Sequence, residues 1–392
     1  MKKIPGFIIW PILSLIVLLS SFLILNKSDE TKITAIFNST EQVKSEEEVE
    51  SPYSKALKTP EKVKAIYMTG YTFSSNKRRG YLVDLVKDTE LNSVVIDIKD
   101  PAGKFAFPLI LEGLKDWPIS SVAMNRAEYA KVLDELQDNG IYTIARITTF
   151  QDPTAVKTYP DLALKNKQGG IWYDYKGVAW MDMTNPEVWK LPVDQAREAT
   201  LIGFDEVQFD YIRFPSDGNT SQIQYHSFSE GQRKYEVLVD FFKYLSQELS
   251  DLPTPLSLDL FGLTYQRRPS NEHYDLNIGQ RLVDAAPYFD FISPMVYPSH
   301  YPSGFMGFEN PAAYPYAVVD RALSEGNFIL ASTTNSIAST RPWLQDFDMG
   351  ANYHAGLIKD QIRASDENNA SGWILWNASN YYTEDAFERV EN

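Results

Sequence analysis

Asp210 stands in the run Glu206-Val-Gln-Phe-Asp-Tyr-Ile-Arg-Phe-Pro215, whose period-2 alternation predicts a short strand ending in a loop. A carboxylate near the end of a buried strand is costly unless it is paired, hydrogen-bonded or used in chemistry. Similar residues close other apolar runs: Asp97 and Lys99 in Ser93–Lys99, Arg146 in Ile141–Thr148, Asp259 in Leu256–Phe261, and Tyr297 and His300 after Asp290–Tyr297. Arg213 follows Asp210. Trp343, Gln345 and Asp346 lie in RPWLQDF, and Trp376 closes Gly372–Trp376. Singly, each is a helix cap or an ion-pair partner, with Arg213 or another cation the plain partner for Asp210. Collected at one end of a sheet, two carboxylates can flank a sugar ring, one ionised as nucleophile and one protonated as acid. Asp210 and Asp259 fall on neighbouring strands, compatible with the roughly 5 Å separation of a retaining mechanism.

Aromatic residues share that end: Trp117, Trp172, Trp180, Tyr301, Tyr381 and Tyr382 join Tyr297, Trp343 and Trp376 in or beside the loops, whereas Trp189 and Trp373 read as core. Pyranose C–H faces lie well on aromatic rings, and sugar hydroxyls want Asp, Asn, Gln, Arg and His. The composition narrows the alternatives. A net charge of −15 offers no basic stripe for nucleic acid. No cysteine is present, and the four histidines lack metal-ligand spacing, so no metal and no cofactor are expected. A hydrolase binding a metal through Asp97, Asp210 and Asp259 is a weaker alternative.

Positioning these residues takes eight strands in alternation with eight helices. The strands are predicted over 64–71, 93–99, 141–148, 206–214, 256–261, 290–297, 328–332 and 372–376. Helices are predicted over 77–89, 126–139, 186–202, 232–249, 279–286, 312–325, 355–368 and 384–390, with Pro192 forcing a kink or a late start in the third. Eight such repeats predict a (β/α)8 TIM barrel over residues 61–392, with long loops and the site at the C-terminal face. Ahead of it, residues 27–60 are acidic and poor in apolar residues, a disordered linker. Residues 1–26 hold Lys2 and Lys3 followed by an apolar run from Phe7 to Leu25, which predicts an uncleaved transmembrane signal anchor. The basic flank places the remainder outside the cell membrane, single-pass, or secreted if the segment is removed.

The stretches VVIDIKD (94–100), ARI (145–147), GFDEVQFDYIRFPSDG (203–218), DLFGLT (259–264), FISPMVYPSHYP (291–302), RPWLQDF (341–347) and GWILWNASNYY (372–382) closely resemble the bacterial barrel family named "putative glycoside hydrolase". That family is similar to the α-amylase and α-galactosidase barrels. The resemblance implies a strand-four nucleophile, here Asp210, a strand-five acid/base, here Asp259, and a third carboxylate after strand seven, here Asp346. Asp259 stands where the α-amylase pattern has Glu, one methylene shorter, which leaves Asp346 and Asp97 as rival proton donors. Gln208 replaces the Arg two residues before the nucleophile, leaving Arg146 or Arg213 to take its part. Asp97, Lys99, Arg146, Arg213, Tyr297, His300, Trp343, Gln345 and Trp376 are expected to hold the sugar. The expectation is an extracytoplasmic retaining glycoside hydrolase on a cell-envelope or environmental polysaccharide. The alternative is a non-catalytic glycan-binding barrel at the cell surface.

Overall fold

A computed structural model describes residues 56–390. The anchor expected over 1–26 and most of the 27–60 linker lie outside the described residues. Among the described residues, no helix is long and apolar enough to cross a membrane. Eight parallel strands form the barrel: β1 Val63–Met68, β2 Ser93–Asp97, β3 Tyr142–Thr148, β4 Glu206–Asp210, β5 Leu256–Phe261, β6 Phe291–Met295, β7 Trp343–Gln345 and β8 Gly372–Trp376. Each pairs with its successor, and β8 pairs with β1. The ring closes between β6 and β7 through Met295 and Trp343, below which Ser339 and Thr340 also run along β6.

Nine helices are described: α1 Gly70–Ser74, α2 Asn76–Lys87, α3 Arg126–Asp138, α4 Pro153–Thr158, α5 Lys190–Ile202, α6 Lys234–Glu248, α7 Leu282–Ala285, α8 Pro315–Ser332 and α9 Ala355–Glu367. Asn125 caps α3 by accepting from the Glu128 amide at 2.8 Å. Pro192 is accommodated by a late start. A 3-10 turn over Pro186–Trp189 precedes α5, so the proline falls in the first α-turn, where its missing N–H is not needed.

The core has two layers. Val207 and Phe209 point outward from β4 into the layer under the helices, and burying each such side chain is worth about 1.5–3 kcal/mol. A smaller cluster fills the barrel itself, built from Ala65, Tyr67, Val95, Tyr142, Ile144, Trp343 and Ile374. The same alternation turns Glu206, Gln208 and Asp210 inward.

Two expectations are corrected. Residues 328–332 are not strand seven; they are the last turn and a half of α8, and β7 lies at Trp343–Gln345. The apolar run Phe328-Ile-Leu-Ala reads as a strand locally, but α8 runs on through Gly326, where Tyr265 packs so closely that a Cβ would lie 1.9 Å from its ring. The expected helix over 384–390 is only a 3-10 turn, Glu384–Ala386.

Candidate active site

Arg146 lies at the centre of the C-terminal mouth. It points inward from β3, between β2 and β4. Its Nη1 donates to Asp97 Oδ1 at 2.6 Å, its Nη2 donates to Asp210 Oδ2, and its Nε lies 3.7 Å from Asp259 Oδ2. Three carboxylates therefore share one guanidinium, all nearly or fully buried. Burial opposes the charge on Arg146, but Asp97 and Asp210 outweigh it and hold the guanidinium firmly protonated. The partner of Asp210 is thus Arg146, and Arg213 pairs with neither Asp210 nor another carboxylate among the described residues. A cation bound by Asp97, Asp210 and Asp259 would need the place the guanidinium fills, and no group suited to a metal occurs among the described residues.

The three carboxylates differ in surroundings. Asp259 is wholly buried; its Oδ1 accepts from Gln208 Nε2 at 2.6 Å and Trp343 Nε1 at 2.7 Å, while its Oδ2 has no hydrogen-bond partner. Burial first, then the Asp210 charge, push its pKa well above the ordinary carboxylate range, which favours its protonated form. Asp97 is raised by burial and pulled back by Arg146 and by the hydroxyl of Tyr67, which donates to its Oδ2. Asp210 Oδ1 accepts from the Tyr211 amide at 2.5 Å. That contact follows a left-handed turn, since Tyr211 has φ +55°.

Above the cluster lies a cavity of about 550 Å³. Seven expected residues are brought to it or its floor: Arg146, Asp210, Arg213, Tyr297, His300, Trp343 and Trp376. Trp376 stacks on Tyr67 with centroids 4.1 Å apart and stands edge-on to Trp343 at 5.5 Å. Burial lowers the pKa of His300, which favours its neutral form. Asp210 is the only carboxylate lining this cavity among the described residues; Asp259 lies behind it, screened by Trp343 and Gln208.

The remaining expected residues lie elsewhere. Asp97 and Lys99 border a neighbouring cavity of about 350 Å³. Lys99 is tied to Asp152 at 2.7 Å and Gln195 at 3.1 Å, which fastens β2 to α5. Gln345 is fully buried, accepting from the Ser299 amide and donating to the Phe347 carbonyl. Asp346 does not reach the cavity: both its oxygens are held by Thr383, by hydroxyl at 2.8 Å and amide at 3.0 Å. Of the other aromatics, Trp117, Trp172 and Trp180 pack loops, while Tyr301 lines the cavity.

Sequence reasoning did not single out Lys176, Tyr211, Phe261 and Leu263, which complete the wall, or Tyr67, which orients Asp97. Tyr67 could have been found, because it sits at the end of β1 where the other strands carry their polar residues. The segment 380–382 fixes it in turn. Tyr382 Oη donates to the Tyr67 carbonyl at 2.6 Å, Asn380 Nδ2 donates to the same oxygen at 3.0 Å, and the Tyr67 amide donates to Tyr382 Oη at 3.0 Å.

The comparisons agree with this architecture. Residues 65–382 match the family described as "Putative glycosyl hydrolase domain". No curated protein matches. The PgaB (BpsB) glycoside hydrolase domain from Bordetella bronchiseptica superimposes with a TM-score of 0.56 at 15% identity, over 81% of this chain and 94% of that one. The endo-1,4-beta-D-mannanase from Thermotoga petrophila RKU-1 gives a TM-score of 0.51 at 13% identity, over 83% and 94%. A hypothetical protein from Ruminiclostridium thermocellum ATCC 27405 is 34% identical over 50% of this chain and 96% of its own, with a TM-score of 0.44. With the match covering nearly the whole barrel, from β1 to the loop that follows β8, this chain belongs to that family of glycosyl hydrolase-type domains.

Proposed function

We propose that the protein hydrolyses glycosidic bonds with retention, Asp210 attacking the anomeric carbon from the cavity floor. The observation that carries this reading is one carboxylate presented to an aromatic-walled cavity, backed by a guanidinium and by a buried carboxyl whose pKa is raised. A cavity of this size falls in the range of roughly 300–1,000 Å³ that encloses a small ligand. Arg146 holds Asp210 in place through its Nη2. Attack forms the Asp210–C1 ester bond as the C1–O bond to the leaving group breaks, and the leaving oxygen takes a proton. Water, deprotonated by the same acid in reverse, then cleaves the ester. Asp259 is the group that holds a proton nearby; delivering it requires Trp343 or Gln208 to yield when sugar binds. Asp97, itself held by Arg146 and Tyr67, steadies the guanidinium as charge develops. Tyr297, His300, Trp343 and Trp376 hold the sugar. With residues 1–26 as a membrane anchor, the substrate is a cell-envelope or environmental polysaccharide.

One observation favours a non-catalytic glycan-binding barrel instead: no second carboxylate lines the cavity among the described residues. The two readings separate in a reducing-end assay on bacterial cell-wall and capsular glycans, with Asp210→Asn beside the wild type. New reducing ends from the wild type alone support hydrolysis. Glycan binding without turnover by either protein supports the binding barrel.

A further inference from the structure

The chain as a whole carries 52 acidic and 37 basic residues. Its C-terminal mouth departs from that balance. Among the described residues the one carboxylate lining the cavity, Asp210, is paired with Arg146, while Arg213 and Lys176 line the same wall without an ion pair. Arg213 is only 8% exposed. Its Nη1 donates to two neutral acceptors, the Phe214 carbonyl at 3.1 Å and Ser216 Oγ at 3.2 Å. Around it stand the rings of Trp180, Phe261 and Tyr211, at 4.9, 5.1 and 5.3 Å. Aromatic faces attract a cation but leave its in-plane donors without an anion. A guanidinium kept largely out of water, with no carboxylate paired to it and an edge on a cavity, is arranged to receive one. Lys176 reaches the cavity from an exposed turn that Asp174 pins through the Lys176 and Val178 amides, both at 2.9 Å.

A second cavity, of about 490 Å³, shares Leu263 with the first. Arg267 lies over Phe328 at 3.8 Å and Arg268 over Tyr274 at 4.7 Å. Neither forms an ion pair among the described residues; Arg268 donates to the neutral Gln266 Oε1 at 2.6 Å. Arg281 in the same wall is paired with Asp284 at 2.7 Å, and Glu272 is the one carboxylate lining the cavity among the described residues. Each of the two cavities that meet at Leu263 thus carries cations without an ion pair among the described residues.

Resting on the glycosidase reading, we infer that the substrate is an anionic glycan: Arg213 and Lys176 hold a carboxylate or phosphate substituent of the sugar at the reaction site, and Arg267 and Arg268 hold a second one further along the chain. The guanidinium fork suits a planar carboxylate and a phosphate alike, so the test uses matched pairs. Binding of the full-length wild type is measured against a homogalacturonan oligomer and its methyl ester, and against a mannan and its 6-phosphorylated form. The acidic member of at least one pair is expected to bind tenfold or more tighter. That preference should weaken with salt, fall about tenfold in Arg213→Gln, and recover in part in Arg213→Lys. The Lys176→Gln variant, changed at an exposed turn, is expected to lose severalfold of the preference with the fold intact. Which pair shows the preference names the anion. Equal binding of acidic and neutral members, binding of none, or a preference unchanged in both Arg213→Gln and Lys176→Gln overturns the inference. Turnover is read separately. Hydrolysis confined to neutral glycans sinks this inference and leaves the glycosidase standing; selective binding of acidic glycans without hydrolysis does the reverse.

Discussion

Two charged clusters occupy the same barrel interior, and their ledgers differ. Glu206 and Asp210 both point inward from β4, four residues and roughly 13 Å apart. At the lower level Glu206 meets Arg341, both wholly buried; Arg341 Nη1 lies 3.2 Å away and Nη2 also donates. Tyr142 Oη at 3.1 Å and Ser257 Oγ at 2.7 Å complete the glutamate's shell. One anion faces one cation, and neither lines the cavity above Asp210. At the upper level three carboxylates divide one guanidinium, an oxygen of Asp259 goes without a hydrogen bond, and a cavity opens above Asp210. Buried ionic groups in a closed, matched pair hold a structure in register; a mismatched set beside a cavity keeps chemical potential in reserve for a ligand.

That contrast is tested first at Asp210. Asp210→Asn should cut turnover by roughly 10³-fold or more while the unfolding midpoint in denaturant moves little, because Asp97 still pairs Arg146. A variant that keeps full activity removes Asp210 as nucleophile. The opposite profile is expected of Glu206→Gln. It leaves Arg341 buried against a neutral partner and should cost about 3–5 kcal/mol in denaturant unfolding, with turnover per folded molecule unchanged. A stability loss under 1 kcal/mol would erase the distinction drawn between the two levels.

Asp259 gives a sharper reading through pH. Its native pKa is raised, so the folded protein holds this proton where the unfolded chain releases it. The stabilisation is complete below the ordinary carboxylate value of 3.8 and is lost as pH rises toward the elevated native value. Asp259→Asn should abolish that falling slope in a stability–pH series. If Asp259 is the acid, the variant also loses the alkaline limb of the turnover profile. An unchanged turnover profile with an altered stability slope would confine Asp259 to a structural role. The smallest effect is expected at Trp376→Ala, which removes a wall and the stack on Tyr67. Affinity for the glycan should fall about tenfold, near 1.4 kcal/mol, in a binding titration, with the rate at saturation changing less.

Much of this was legible in the sequence. Strand periodicity put Gln208 and Asp210 on one face, and the recurrence of polar residues at strand ends collected Arg146, Tyr297 and Trp376 into one mouth. Range limited the rest. Asp346 was expected near the sugar because it follows β7, yet Thr383, 37 residues on, holds it. Phe328–Ser332 satisfied every local preference of a strand, and only Tyr265, far away in sequence, shows why Gly326 lets the helix continue past it. Lys176 and Leu263 come from loops, where no periodicity marks which way a side chain will face.

The ties from Asn380 and Tyr382 to Tyr67 have a temporal meaning. Tyr67 sets Asp97, Asp97 sets Arg146, and Arg146 sets Asp210, so the first link in this chain of orientation waits on a segment more than 300 positions downstream. On the ribosome the seven earlier strands can be made while the reactive cluster still lacks its alignment. Competence follows only once residues 380–382 have emerged and tied the loop after β8 to Tyr67.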